Sequence, residues 1–220
     1  KDAFAINYSK IQMDEEFVKE LRKHKFYNTL AYYLVSCSDN DRETITEIVE
    51  GNRIPERFNE GVAIGRKLGN QTFLLFSNTK SIVVYSDFGF YRNVSQFYQE
   101  KLKISDDKML SRRAHLYMGM GYNETISENF QQANTYINQA ISILYPIKDA
   151  EGIAECLYNL AVNGLCCRDF HSAAQYIHTI FKVVNQLGYE TIKICNTSKL
   201  QGMLALAYFR ENNPYRSHVY

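Results

Sequence analysis

One pattern in the second half of this chain restricts its fold more than anything else: Phe130, Ala133, Tyr136 and Ile137 return forty residues later as Phe170, Ala173, Tyr176 and Ile177. A polar turn precedes each copy, Ser127-Glu128-Asn129 in the first and Arg168-Asp169 in the second. Before each turn runs an apolar stripe, Ala114, Tyr117, Gly121 and Tyr122 in one case and Leu157, Ala161 and Leu165 in the other. Apolar residues at every third or fourth position mark a helix, so the unit is helix, turn, helix. An aromatic opening the second helix, with a small residue three places on, is the grammar of tetratricopeptide repeats. The small side chain lets two helices approach, and the aromatic fills the space beside the turn. The period exceeds the usual value of about 34, which lengthens the helices. A third unit fits Thr197 to Phe209, a turn over Glu211-Asn212-Asn213-Pro214, and Tyr215 as its aromatic. Pro214 suits a first helical turn, where its missing N–H has no partner to lose.

The expected fold is therefore all-α, a right-handed superhelix of tetratricopeptide-like helical hairpins (an α-solenoid). Residues 1–110 are expected to form degenerate hairpins and residues 111–220 the repeats that make a groove. Upstream, Phe17, Val18, Leu21, Tyr27, Leu30, Ala31 and Leu34 predict two helices between Met13 and Cys37, separated at Arg22-Lys23-His24-Lys25. A further helix is expected from Asp41 to Glu50, ended by Gly51 and Pro55. Phe73 to Tyr85 contains Ser81-Ile82-Val83-Val84-Tyr85, which alone would pass for a strand. Its length and the lack of a partner strand favour helix. Asp87-Phe88-Gly89-Phe90 turns the chain into a stripe of Val94, Phe97, Tyr98 and Leu102.

Composition agrees with this. Three prolines and 11 glycines leave few obligatory breaks, and 45% hydrophobic residues are ample for a core. Twenty-five Lys and Arg oppose 24 Asp and Glu, a balance that gives no field to attract a phosphate backbone, so specific DNA binding by these residues alone is not expected. No run approaches a membrane span and no signal peptide opens the chain, which points to the cytoplasm. Asn7, Asn70, Asn93, Asn123 and Asn196 match the glycosylation pattern on helices that must pack, which also argues for the cytosol. Because the first residue is Lys1 and Asn212 to Tyr215 reads as the start of an element, the chain is expected to be part of a longer protein.

Catalytic signals are sparse. Cys37, Cys156, Cys166, Cys167 and Cys195 lack paired metal-ligand spacing and are read as buried thiols. Asp87-Phe88-Gly89 has no kinase companions and is read as a turn. His171 and His178 stand two turns apart, about 10 Å along a helix and too far for one zinc ion. Neither an enzymatic activity nor a cofactor is expected. The residues that suggest a ligand are Asn159 and Asn163, one helical turn apart on a first helix. First helices line a solenoid's concave face, and a carboxamide pairs with both the N–H and C=O of an extended peptide. Capping or plainly exposed asparagines are the alternative. Asn123 holds in the preceding repeat the place of Asn163, and Glu155 and Lys199 are further candidates for the same groove.

The order of segments resembles the arbitrium peptide receptor family (AimR) of Bacillus phages, related to the Rap, PlcR and Rgg peptide-sensing regulators. The matching segments are Lys1-Asp2, Val35-Ser36-Cys37-Ser38, the Gly61 to Gly69 helix, the Phe88 to Val94 turn, Ile104-Ser105 leading to Arg113-Ala114-His115, and Asn163 ahead of Arg168-Asp169-Phe170. The resemblance implies a homodimeric transcription regulator whose helical repeats bind a short signalling peptide of about six residues. An amino-terminal helix-turn-helix, absent here, would bind DNA until the peptide releases it, and so decide between lysis and lysogeny. It implies that Asn163 contacts the peptide backbone. The chain departs from the family at Gly152, where relatives carry a peptide-holding arginine that Lys199 would have to replace, and in lacking the dimerising carboxyl-terminal helices. The other class open to the sequence is a scaffold or Rap-like regulator that binds a protein partner.

Overall fold

A chain of helices can turn back on itself only if each helix is stopped sharply, and here five of the stops share one geometry. The computed structural model describes residues 14–37, 56–87, 89, 91–106, 108–187 and 197–212. These form α1 (Glu15–Lys23), α2 (Tyr27–Cys37), α3 (Glu56–Lys67), α4 (Gln71–Asp87), α5 (Tyr91–Ile104), α6 (Leu110–Ile126), α7 (Phe130–Leu144), α8 (Ala150–Cys166), α9 (Phe170–Leu187) and α10 (Thr197–Arg210). Among the described residues there is no strand, and the chain is all-α, built of consecutive hairpins in the manner of an α-solenoid. The expected helix from Asp41 to Glu50 and the aromatic Tyr215 lie outside the described residues.

Lys25, Gly69, Glu128, Lys148 and Arg168 each stand just past a helix end in the left-handed region, with φ between 57° and 65°. The next residue donates its N–H back five positions: Phe26 to Leu21 O, Asn70 to Gly65 O, Asn129 to Glu124 O, Asp149 to Leu144 O and Asp169 to Gly164 O, at 2.8–3.3 Å. This is the Schellman closure, which satisfies a carbonyl the helix leaves open. Four of the five sites carry a charged side chain where glycine is preferred. Asn212, at φ 56°, holds the same conformation after α10. The residue after the stop then caps the next helix in several hairpins: the side chains of Asn70, Asp149 and Asp169 accept from the N–H groups of Phe73, Gly152 and Ser172.

The chain divides into two compact units, residues 1–104 and 105–220. In the first, Asp14 caps α1 by accepting from the N–H of Glu16 and Phe17, while its own N–H donates to the Tyr33 hydroxyl at 2.8 Å. Val18, Leu21, Leu30 and Leu34 form the core between α1 and α2. Helix α4 shows why Ser81 to Tyr85 imitates a strand. Its buried stripe is Phe73, Ser77 and Ser81, and Val83 is 47% exposed. The serine hydroxyls donate to carbonyls of the same helix, Leu74 O and Ser77 O, so burial leaves them satisfied. Phe73 fits only because residue 65 is glycine, since a Cβ there would lie 1.9 Å from the ring.

In the second unit α6 pairs with α7 and α8 with α9, and α8 packs back on α6 and α7 and α10 on α8 and α9. Ala133 and Ala173 are fully buried where the paired helices meet. A Cβ on Gly121 would come 2.5 Å from Ile137, which is why the first pair approaches so closely.

Glu128→Gly is expected to raise the melting temperature by about 2–4 °C, because a left-handed non-glycine residue costs about 1 kcal/mol. Gly65→Ala is expected to lower it, with an overpacking cost of about 1–3 kcal/mol, as Phe73 has nowhere to go. Scanning calorimetry on the two variants measures both.

Candidate functional site

Counting back from the left-handed residues Glu128, Arg168 and Asn212 aligns the three first helices α6, α8 and α10. Thirteen residues before each stop stand His115, Glu155 and Lys199. The positions nine, six and two before the stop hold Gly119, Asn159 and Met203, then Tyr122, Val162 and Leu206, then Ile126, Cys166 and Arg210. Steps of four, three and four keep all four positions on one side of a helix. None of these twelve residues is buried, and Tyr122 and Leu206 are 57% and 45% exposed. The face therefore carries a charged row, an apolar middle and a mixed lower edge.

Asn163 does not belong to it. Its side chain is 0% exposed: Nδ2 donates to Phe130 O at 3.0 Å and to Asn134 Oδ1, and Oδ1 accepts from the Thr125 hydroxyl at 3.4 Å. It ties α8 to both helices of the preceding hairpin. The expectation that Asn163 faces the groove fails because each step of four advances about 400°, not 360°. One such step from Glu155 keeps Asn159 on the face, and a second brings Asn163, about 80° round, into the seam. Asn123, at the same position of α6, is likewise buried, at 4%. In α10 the position is Ala207, and the counterpart of Asn134 in α9 is Ala174, both buried in an apolar cluster. One junction carries a pair of carboxamides, and the next has alanines at the same two positions within an apolar cluster.

Of the remaining candidates, Asn159 is half-buried at the centre of the face and Lys199 is exposed at its edge, with Nζ 5.0 Å from the centroid of the Tyr158 ring. Glu155 is half-buried, and loss of water pushes its carboxyl above the ordinary 4.5. His115, one hairpin back, pulls it down, while Glu151 and Asp149 add to the rise. The His115 ring takes its orientation from Ser111, whose carbonyl accepts from Nδ1 at 2.7 Å. Gly152 is buried in the first turn of α8, where a Cβ would stand 3.0 Å from Leu144, so the position points at α7 and offers no place for an arginine on the face.

A cavity of about 450 Å³, which individual residue types did not announce, opens at the lower edge. Leu165, Cys166, Arg168, Phe170, Leu206 and Arg210 line it. Its lining joins the end of α8 and the left-handed stop at Arg168 to the start of α9 and the last turns of α10. The cysteines divide. Cys156 is buried, its thiol pushed up to about 12 by desolvation, but Cys166 and Cys167 are exposed, against the expectation of buried thiols, because they occupy the helix end and the turn. His178 meets the Tyr208 hydroxyl at 2.6 Å and His171 pairs with Glu211 at 3.4 Å. Among the described residues no group of three or more His, Cys, Asp or Glu could hold a metal ion, and no helix is long and apolar enough to cross a membrane.

Asn163→Ala is expected to cost about 1–3 kcal/mol of stability, since it strands Asn134 in the seam. Asn134→Ala with Asn163→Ala should cost less than the two single losses added, as the Ala174–Ala207 junction manages without either carboxamide. Chemical denaturation of all three variants closes the cycle. Glu155 titrates the other way from a salt-bridged acid: with its folded value raised, the folded state holds its proton longer, so its contribution falls as pH rises through and above 4.5. Glu155→Gln should therefore raise the melting temperature at about pH 7.5 and leave it unchanged at about pH 4.

No family model and no curated protein matches this sequence. Among solved structures the fold is similar to that of BtubC (BKLC) from P. vanneervenii, with a TM-score of 0.63 over 93% of this chain and 84% of that one. The identity is 14%, a likeness that speaks for the helical-repeat fold alone.

Proposed function

We propose that this chain is the ligand-binding part of a peptide-sensing regulator, and that a short extended peptide lies on the aligned face of the first helices α6, α8 and α10. The observation that carries the reading is the aligned face itself. Twelve positions on three helices stay out of the core, with Glu155, Asn159 and Lys199 among them, while the opposite sides of the same helices are buried. A face with an apolar centre and polar groups at set places suits a ligand that brings both side chains and backbone. Asn159 takes the backbone role, and Asn163 holds the hairpin that presents it.

The regulatory output is supported by the order of segments shared with the arbitrium receptors: a DNA-binding domain outside this chain, controlled by peptide and working as a homodimer. The near-neutral charge of these residues is compatible with DNA contact lying elsewhere.

A hexapeptide held at micromolar strength requires about 8 kcal/mol net. Asn159→Arg places a long cation in the middle of the face, and is expected to weaken binding at least about tenfold without moving the melting temperature. Equilibrium dialysis against hexapeptide pools, with calorimetry on the same samples, tests this. Retention of every pool by Asn159→Arg as by the unaltered chain would remove the peptide from this face.

A further inference from the structure

The cavity at the lower edge is lined by apolar and cationic residues together. Leu165, Phe170 and Leu206 supply the apolar lining, and Arg168 and Arg210 approach from two different elements. Neither guanidinium has an ion-pair or hydrogen-bond partner among the described residues. The carboxylates beside them in sequence make other contacts: Asp169 accepts from the Ser172 N–H at 3.2 Å, and Glu211 lies 3.4 Å from His171 Nδ1. Two arginines in the lining of a largely apolar cavity complement one kind of group, a carboxylate attached to an apolar side chain.

The charged row lies at the other end of the same face, with Glu155 half-buried in it. Eleven helical residues separate that row from the row of Cys166 and Arg210, a rise of about 16 Å. An extended peptide advances about 3.3–3.6 Å per residue, so five or six residues cover the interval. Resting on the peptide-binding reading above, we propose that the ligand is a short peptide with both ends free. Its carboxyl terminus and apolar last side chain enter the cavity between Arg168 and Arg210, and its terminal ammonium group lies against Glu155. The face thus reads length and direction as well as sequence, because only a chain of about that length satisfies both ends at once.

The test uses the 220-residue chain and pools of hexapeptides ending in Leu or Phe, prepared with free ends, with an amidated carboxyl terminus, or with an acetylated amino terminus. Equilibrium dialysis with mass-spectrometric quantification of retained peptide is expected to find each blocked pool at least about tenfold weaker than the free one. Arg168→Gly, whose new residue favours the left-handed backbone already present, and Arg210→Gln should abolish the difference between acid and amide but keep that between amine and acetyl. Glu155→Gln should do the reverse. Free and blocked pools retained equally would overturn the end-reading while the peptide-binding reading stands. An amidated pool rescued by an internal Asp or Glu would also overturn it, as the cavity would then read a side chain. Failure to retain any pool would remove the peptide-binding reading itself, and this inference with it.

Discussion

Everything in the second unit depends on where each helix stops. A helix that ran one residue further before its left-handed stop would rotate the whole following helix by about 100°, and would turn buried positions outward. The repeated closure, a left-handed residue followed by an N–H that reaches back five positions, fixes this phase at Glu128 and Arg168, and Asn212 holds the same backbone after α10. It does so with charged or polar residues, against a cost of about 1 kcal/mol each, because the carbonyl it satisfies would otherwise be left open at a packed end. The rows of the face are a product of that phase. His115, Glu155 and Lys199 share a row because their stops agree, although the spacing between repeats is forty residues in one case and forty-four in the other.

The same phase separates residues that look alike along the chain. Asn159 and Asn163 are one turn apart and chemically identical, yet one lies on the face and the other is enclosed by Phe130, Asn134 and Thr125. A carboxamide in a dry seam is strongly held when all its groups are paired and strongly destabilising when they are not. Asn163 thus fixes the angle at which α8 presents the aligned face, without belonging to that face.

Much of the fold was legible, because the signals that mattered were periodic. Phe130 and Phe170, with Ala133 and Ala173, announced the hairpins and placed their turns correctly. The helix from Gln71 to Asp87 was legible only by its length and by the absence of a partner strand: its buried side is serine, so its apolar pattern carries little information about direction. The stops themselves were harder to see, since Lys25, Glu128, Lys148 and Arg168 are not the glycines that usually mark them. Residue type suggested Asn159, Glu155 and Lys199, and burial leaves all three outside the core. It also suggested Asn163 and Asn123, where a rotation of about 40° decides between face and seam and spacing by four does not reveal it. Arg168 and Arg210 were missed as a pair because they stand forty-two residues apart on separate elements. Only the alignment on the left-handed stops would have brought them together.

The two junctions of the second unit are chemically unlike, and this has a consequence for how the hairpins find one another. Between α7 and α8 the contact is Asn134 with Asn163, and the corresponding positions of α9 and α10, Ala174 and Ala207, lie in one apolar cluster. If a hairpin docked on the wrong neighbour, a carboxamide would face a methyl group in a space without water, and its hydrogen-bonding groups would go unmet. Repeats built on one pattern are prone to exchange places during folding, within a chain or between chains. Here the polar pair works as a key cut for one lock, so the sequence encodes the order of its hairpins as well as their shape.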